Sequence, residues 1–394
     1  MECGAESKAF MEEIYLDNHT ATRPFSSCLD QMTLCMKNYW ASTSSPHRLG
    51  QRSHFPLSAS LAKIYELLGA KDQDSFFCTS NGAMAVSEVF LSTYLSFVKE
   101  TGRTLFLSTD LEEAPFLHCL KRMETFGCSG KTLKVNHFGQ LTGQLLAEQL
   151  RPRSALLSIS WANGLTGVVH PLQDLASICK EKGVLLHVDV STCIGKQFFR
   201  FEDLSADFMT FDGSMIHAPY GHAAVFVKSG VNFSDLSQGS SSESTSSVIM
   251  LAEAVENASQ QFDHVCTEIA RLRDRLESNL HKALPQIVFP FKEADRLPNV
   301  SVVCFPGVMN EAMLYLLNAR GVYATTGGGK YQKLSHVLKL CQIDPILALG
   351  AVSFSLSYET TQEQIDKASN MIIDAYHQLL QCSEYMINEE KEDV

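Results

Sequence analysis

The sequence predicts an α/β chain: a mainly parallel sheet covered by helices on both faces, followed by a second, smaller α+β domain. Two observations carry this. Short apolar runs alternate with helical stretches through the first two thirds of the chain. After Pro285 the texture changes to a strand, helix, strand, helix order. Sheets of this kind take ligands at the carboxyl ends of their strands. Asn81, Asn163, Asp189 and Asp212 close or follow predicted strands and are therefore the first residues to inspect.

Taken in order, helical period covers residues 24–39 and 58–68. Residues 75–78 form a short strand that runs into Thr79-Ser80-Asn81-Gly82, and a helix follows to about residue 99. Strands at 104–108, 132–135 and 155–160 alternate with helices at 114–126, 142–150 and 172–182. Residues 184–189, VLLHVD, read as a strand buried on both faces, and 208–211 and 223–227 are two more strands. The Ser-rich stretch 234–247 reads as a mobile loop. A long helical pattern then covers 248–284 and stops at Pro285. Beyond it, 300–305 and 352–356 read as strands and 310–319 and 361–380 as helices. These elements divide the chain into a large domain at 15–255, a small domain at 256–382 joined by residues 1–14, and a charged tail at 383–394 expected to fray.

Composition narrows the classes. The chain has 394 residues, 45% hydrophobic and 19% charged, which is globular rather than disordered composition. Its net charge of −12 repels phosphate backbones, so nucleic acid is not an expected partner. No apolar run reaches the ~18 residues a membrane-spanning helix needs. The opening MECGAESKAFMEE is acidic and lacks an apolar core, so a cytoplasmic location and no membrane partner are expected. The 12 cysteines are scattered without a C-x-x-C pair, which fits small buried residues in a reducing compartment and no metal site.

Several phrases carry a resemblance. Tyr15-Leu16-Asp17-Asn18-His19-Thr20-Ala21-Thr22 is similar to the opening YLDNNATT of one family, and Thr43-Ser44-Ser45-Pro46-His47 with Gly50 to its N-P-S-S-x-H-x-x-G. Thr79 to Gly82 resembles its T-S-G-G/A-T-E loop, and Trp161-Ala162-Asn163 with Thr166-Gly167 its M-x-N-N-E-x-G. His187-Val188-Asp189 with Gly195-Lys196 resembles H-V-D-A-x-Q-x-x-G-K. Pro298-Asn299-Val300-Ser301, Thr325-Thr326-Gly327 and the stretch LSYETTQEQID at 356–366 follow in the same order. Over about residues 15–370 the chain thus resembles the class V aminotransferases, and within them the NifS-like cysteine desulfurases.

The resemblance implies pyridoxal phosphate (PLP) as cofactor and fold type I of the PLP-dependent proteins. That means a large domain on a mixed, mainly parallel seven-stranded sheet, a small C-terminal domain, and a homodimer with its sites at the subunit interface. On the matched positions it puts Asp189 under the pyridine nitrogen and Asn163 at the ring hydroxyl, with Gly82 and Ser214 on the phosphate side. The departures fall on the chemistry. The family's Schiff-base lysine segment reads Asp212-Gly213-Ser214-Met215-Ile216-His217-Ala218-Pro219-Tyr220-Gly221 here; Pro219 and Gly221 fix the register, and Met215 falls on the lysine. A thioether forms no imine and moves no proton. Asp212 and Ala83 stand where the family has phosphate-binding hydroxyls. Glu113 replaces the ring-stacking histidine, and Phe354 the arginine that clamps the substrate carboxylate. Leu165 and Thr192 replace the family Glu and Gln, and the Gly-rich loop at 327–330 holds no sulfur-accepting cysteine.

Three functions follow as expectations. The first is a catalytically degenerate desulfurase homologue, dimeric, acting as a binding or regulatory partner of an active desulfurase or of a sulfur-acceptor protein. The second is a PLP enzyme with noncovalent cofactor and a histidine base, His217 or the neighbouring His222; the plainer reading of His217 is packing. Lys330 and Lys196 are the remaining candidate amines. The third is a binding module for another small ligand, with an apolar cleft lined by Met215, Phe354 and Met84.

Overall fold

The computed structural model describes residues 13–234, 245–328 and 333–392, with side chains to residue 382. Lys330, most of the Ser-rich stretch and the first twelve residues lie outside them. Among the described residues eleven strands run in chain order: β1 (Ile14–Tyr15), β2 (Ser75–Thr79), β3 (Leu105–Thr109), β4 (Ser129–Leu133), β5 (Ser154–Ser160), β6 (Leu185–Asp189), β7 (Phe208–Asp212), β8 (Ala223–Val227), β9 (Val300–Cys304), β10 (Val322–Tyr323) and β11 (Ala351–Ser355).

Seven of them form one sheet in the order β2-β8-β7-β6-β5-β3-β4. The pairs from β7 to β4 are parallel, and β8 runs antiparallel to both β7 and β2. Strand side chains alternate between faces. Leu105, Leu107, Leu157 and Ile159 accordingly enter one core, while Phe106 and Leu156 enter the other. Both faces are covered, which is why these strands read as continuous apolar runs.

A separate core holds the small domain. Leu272, Leu276 and Leu280 of the helix Ala270–Ala283 pack there with Phe305, Phe354, Ile365 and Ile372. Ile14 joins it by pairing β1 in parallel with β10. The helical pattern expected to be continuous over 248–284 is broken. A helix Thr245–Gln260 gives way to Phe262–His264, a π-helical turn Val265–Ile269 and then Ala270–Ala283. The break lies where burial switches cores, from Val248, Leu251 and Val255 in the large domain to Ile269 and Leu272 in the small one. A π-turn rotates the buried face relative to the helix before it.

Other boundaries shift for identifiable reasons. β4 lies about three residues earlier than the pattern predicts, because it is the edge strand and carries little alternation. Helices Leu334–Leu340 and Pro345–Leu349 are too short for their period to show. The tail expected to fray continues the last helix, Gln362–Glu392, in a segment rich in the helix formers Glu and Lys. Among the described residues no helix is long and apolar enough to cross a membrane, and no group of His, Cys, Asp and Glu could hold a metal ion.

Candidate functional site

The carboxyl ends of β5, β6 and β7 converge with the start of the helix Gly82–Ser92 on a cleft of about 260 Å³. Asn81, Gly82, Glu113, Asp189, Asp212, Ser214 and Met215 line it, with Thr20, Ser160, Ser191 and Thr192. Four of the predicted site residues therefore meet in one place: Gly82, Asp189, Ser214 and Met215.

Asp189 closes β6 with its carboxylate held from two sides. Oδ2 accepts from Thr210 Oγ1 at 2.6 Å, and Oδ1 from the Ser191 N–H at 3.0 Å. Burial raises its pKa above the usual carboxylate range, against those hydrogen bonds. A polar relay runs inward from it: Thr210 Oγ1 lies 2.9 Å from His187 Nε2, and His187 Nδ1 lies 2.7 Å from Ser158 Oγ. Thr210 has one hydroxyl proton and gives it to Asp189, so it accepts from His187 Nε2–H, and Nδ1 accepts from Ser158. Burial pushes His187 down to about 3, so the imidazole is neutral, as this relay requires.

Asp212 closes β7, and its carboxylate turns across the sheet end to the helix start. Oδ2 accepts from the Gly82 N–H at 2.7 Å. Oδ1 accepts from the Ser214 N–H at 2.9 Å and from Ser214 Oγ at 2.8 Å. Its own N–H donates to Ser191 Oγ at 2.9 Å. Glycine at position 82 leaves room for this contact, since a Cβ there would lie 3.1 Å from Asp212 Oδ2. Asn81 caps the same helix, accepting from the Met84 N–H at 2.9 Å.

Two adjacent glutamates after β3 divide their roles. Glu112 is buried under the cleft, where it accepts from Thr109 Oγ1 at 3.1 Å, from the Ser160 N–H at 3.1 Å and from Ser160 Oγ at 2.7 Å. Burial outweighs these bonds and pushes its carboxyl up to about 8. Glu113 faces the cleft, and burial followed by the charges of Asp189 and Asp212 raises it to about 7. Among the described residues lining the cleft there is no Lys, Arg or His.

Other predicted residues lie elsewhere. Asn163 builds the turn that ends at Gly167: its Oδ1 accepts from the Thr166 N–H at 3.0 Å and Nδ2 donates to the Leu111 carbonyl at 3.1 Å. It does not line the cleft. His217 lines a different, mostly apolar pocket together with Lys196. Its Nδ1–H donates to the Arg23 carbonyl at 2.7 Å, and its ring sits 4.8 Å from Phe25 and 4.9 Å from Tyr358. Burial drives it down to about 4, so it is a neutral packing residue in this position. His222 lies 3.0 Å from Ser247 Oγ through Nδ1 and also stays out of the cleft lining. Burial lowers Lys196 to about 8, in the pocket of His217.

Two of the three residues expected to line an apolar cleft lie elsewhere. Phe354 is fully buried in the small-domain core and Met84 is exposed, whereas Met215 lines the cleft with Ala83, Val86, Pro115 and Phe116 on its apolar side and the hydroxyls and carboxylates on the other. Sequence reasoning missed the parts played by Glu112, Ser160 and Ser191. Ser191 had a legible signal, standing two residues after Asp189 where an Asx turn takes its N–H. Glu112 had none, because two neighbouring glutamates look alike until one points inward.

This sheet order, with the strand-end cleft, is that of fold type I of the PLP-dependent proteins. Residues 14–368 match the family described as Aminotransferase class-V, and the chain belongs to that family. It is 28% identical over 387 residues to the cysteine desulfurase NifS of Azotobacter vinelandii, covering 95% of each chain. It is 31% identical over 374 residues to a cysteine desulfurase of Sinorhizobium fredii, covering 92% of this chain and 96% of that one. Among solved structures, a NifS-like protein superposes with a TM-score of 0.85 at 24% identity, over 93% of this chain and 100% of the other. An apo cysteine desulfurase from Thermococcus onnurineus gives a TM-score of 0.76 at 17% identity, over 93% and 95%. These two likenesses are of fold.

Proposed function

We propose that this chain is a catalytically degenerate member of the cysteine desulfurase branch, acting as a dimeric binding or regulatory partner. An active desulfurase or its sulfur acceptor is the partner this reading favours. Met215 carries the reading: the cleft has a thioether where the family chemistry needs an amine, and among the described residues no other lining side chain supplies one. The residues present do not fit PLP. The Gly82 N–H at the helix start is engaged by Asp212, and Asp212 and Glu113 add two carboxylates, beyond the Asp189 that a pyridine nitrogen would use, to a site that would take a dianion. What remains of the family site is Asp189 with its relay, which we read as retained architecture.

Exposed apolar side chains support a dimer. Met36 and Trp40, at the end of the helix Ser26–Asn38, and Phe55 of the next long helix are 64%, 69% and 80% exposed. Large exposed apolar side chains on an acidic protein are most simply covered by a second copy of the chain. The reading with a histidine base loses support from the position of His217, which faces another pocket. A cytoplasmic location agrees with the free cysteines among the described residues.

The test is sulfide release from L-cysteine by the purified protein, with and without added PLP. The expected result is none above the protein-free rate. Release that disappears on Asp189→Ala would overturn the reading.

A further inference from the structure

The Asp212 carboxylate sits where an anion would bind. Three donors converge on it: the Gly82 N–H that opens an eleven-residue helix, and the N–H and hydroxyl of Ser214. A helix start with a glycine cradle is a ready anion site, because its first N–H groups are free and the dipole is positive there. Here the Gly82 and Met84 N–H groups are taken from within. Gly82 is given to Asp212, and Asn81 satisfies the Met84 N–H through its side chain and the Ala85 N–H through its carbonyl at 3.1 Å. The Asp212 side chain packs tightly against the place a Cβ would take at Gly82, 3.1 Å from it.

We propose that Asp212 is a built-in anion that closes this corner of the cleft and makes it select against phosphorylated ligands. The reason is occupancy and charge together. An incoming phosphate would have to displace a carboxylate from all three donors, and it would then lie beside that carboxylate, with Glu113 and Asp189 across the cleft. Removing the carboxylate frees the Gly82 and Ser214 donors and leaves the sheet, the helix cap and the Asp189 relay in place. Asp212 is thus a specificity-determining residue, and the selection it imposes acts on the phosphate group and not on the pyridine ring. The proposal rests on the reading that the cleft does not hold PLP, but its test is separate from the test for sulfide release.

The experiment measures binding of PLP, pyridoxal and inorganic phosphate to the full chain by equilibrium dialysis, with melting temperature as a second readout at matched ionic strength. Wild-type protein should show no stabilisation by millimolar inorganic phosphate. Asp212→Ser should bind PLP at least about tenfold more tightly than wild type and be stabilised by inorganic phosphate, with pyridoxal binding unchanged. Because Met215 supplies no amine, borohydride should trap no cofactor at that position in either protein. Should Asp212→Ser fail to fold, Asp212→Asn keeps the shape and removes the charge, and a gain of about threefold is expected. The proposal falls if wild type responds to inorganic phosphate as strongly as the variant, or if a folded variant shows no gain. It also falls if pyridoxal binding rises as much as PLP binding. Sulfide release by wild type would overturn the degenerate reading while leaving this comparison intact.

Discussion

Replacing Arg296 with methionine should destabilise the protein far more than any exposed ion pair would. Arg296 meets Glu277 in a two-pronged contact, Nη1 to Oε1 at 2.6 Å and Nη2 to Oε2 at 3.1 Å. The two side chains are 8% and 4% exposed. Glu277 lies on the helix Ala270–Ala283, and Arg296 lies in the segment that pairs with Val168 and passes its Leu297 N–H to the Gly167 carbonyl at 2.8 Å. The pair therefore fastens the small-domain core to the turn beside the large-domain cleft. With Arg296 gone, Glu277 keeps only the Ser301 hydroxyl at 2.8 Å, and a buried carboxylate stands nearly alone. Breaking such a pair costs about 3–5 kcal/mol. Removing both partners as Arg296→Met with Glu277→Leu takes the charge away and leaves the Ser301 hydroxyl without its acceptor, at about 1–3 kcal/mol. The double variant should thus be no less stable than either single one, with a coupling of at least about 3 kcal/mol. Urea unfolding followed by circular dichroism reads all four proteins. Single variants costing under about 1 kcal/mol, or losses that simply add in the double variant, would refute the argument.

Two further perturbations probe the ground beneath the cleft. The Glu112 carboxyl is raised in the folded protein to about 8 from 4.5, so it contributes stability at low pH that is lost as pH rises through that window, on the order of a few kcal/mol. Glu112→Gln should flatten the stability profile between about pH 4.5 and 8, and a profile as steep as wild type would show that Glu112 is not its source. Gly167 has φ of +72°, and a Cβ there would lie 2.8 Å from Val300 Cβ, so Gly167→Ala should cost about 2–4 kcal/mol from backbone strain and overpacking. A urea midpoint equal to wild type would contradict it.

Much of the fold is legible because it is written in local period and punctuation. VLLHVD reads as a strand buried on both faces, and β6 is that strand with Asp189 at its end. The helices Leu172–Lys182 and Asn310–Ala319 lie where their pattern puts them. The strand expected at 208–211 is β7, and Met215, just beyond its end, lines the cleft. The places where the pattern misleads are those where burial is decided by distant partners. The stretch 248–284 has one helical period but serves two cores, so it breaks between them. Phe354 and Met84 look like cleft residues in the one-dimensional match, yet one belongs to the small-domain core and the other to solvent.

The sequence by itself determined the class of fold, the strand-end aspartates and the absence of an amine at position 215, because these depend on residue identity and local spacing. Only the tertiary structure decided what those residues touch. Gly82 and Asp212 are 130 positions apart and meet because β8 lies between β2 and β7, which sets the start of the Gly82 helix beside the end of β7. An aspartate in that segment reads only as a charge near a phosphate site. Strand order turns it into the acceptor for the Gly82 N–H, since hydrogen-bond donors are satisfied by what lies within about 3 Å in space, whatever the separation along the chain.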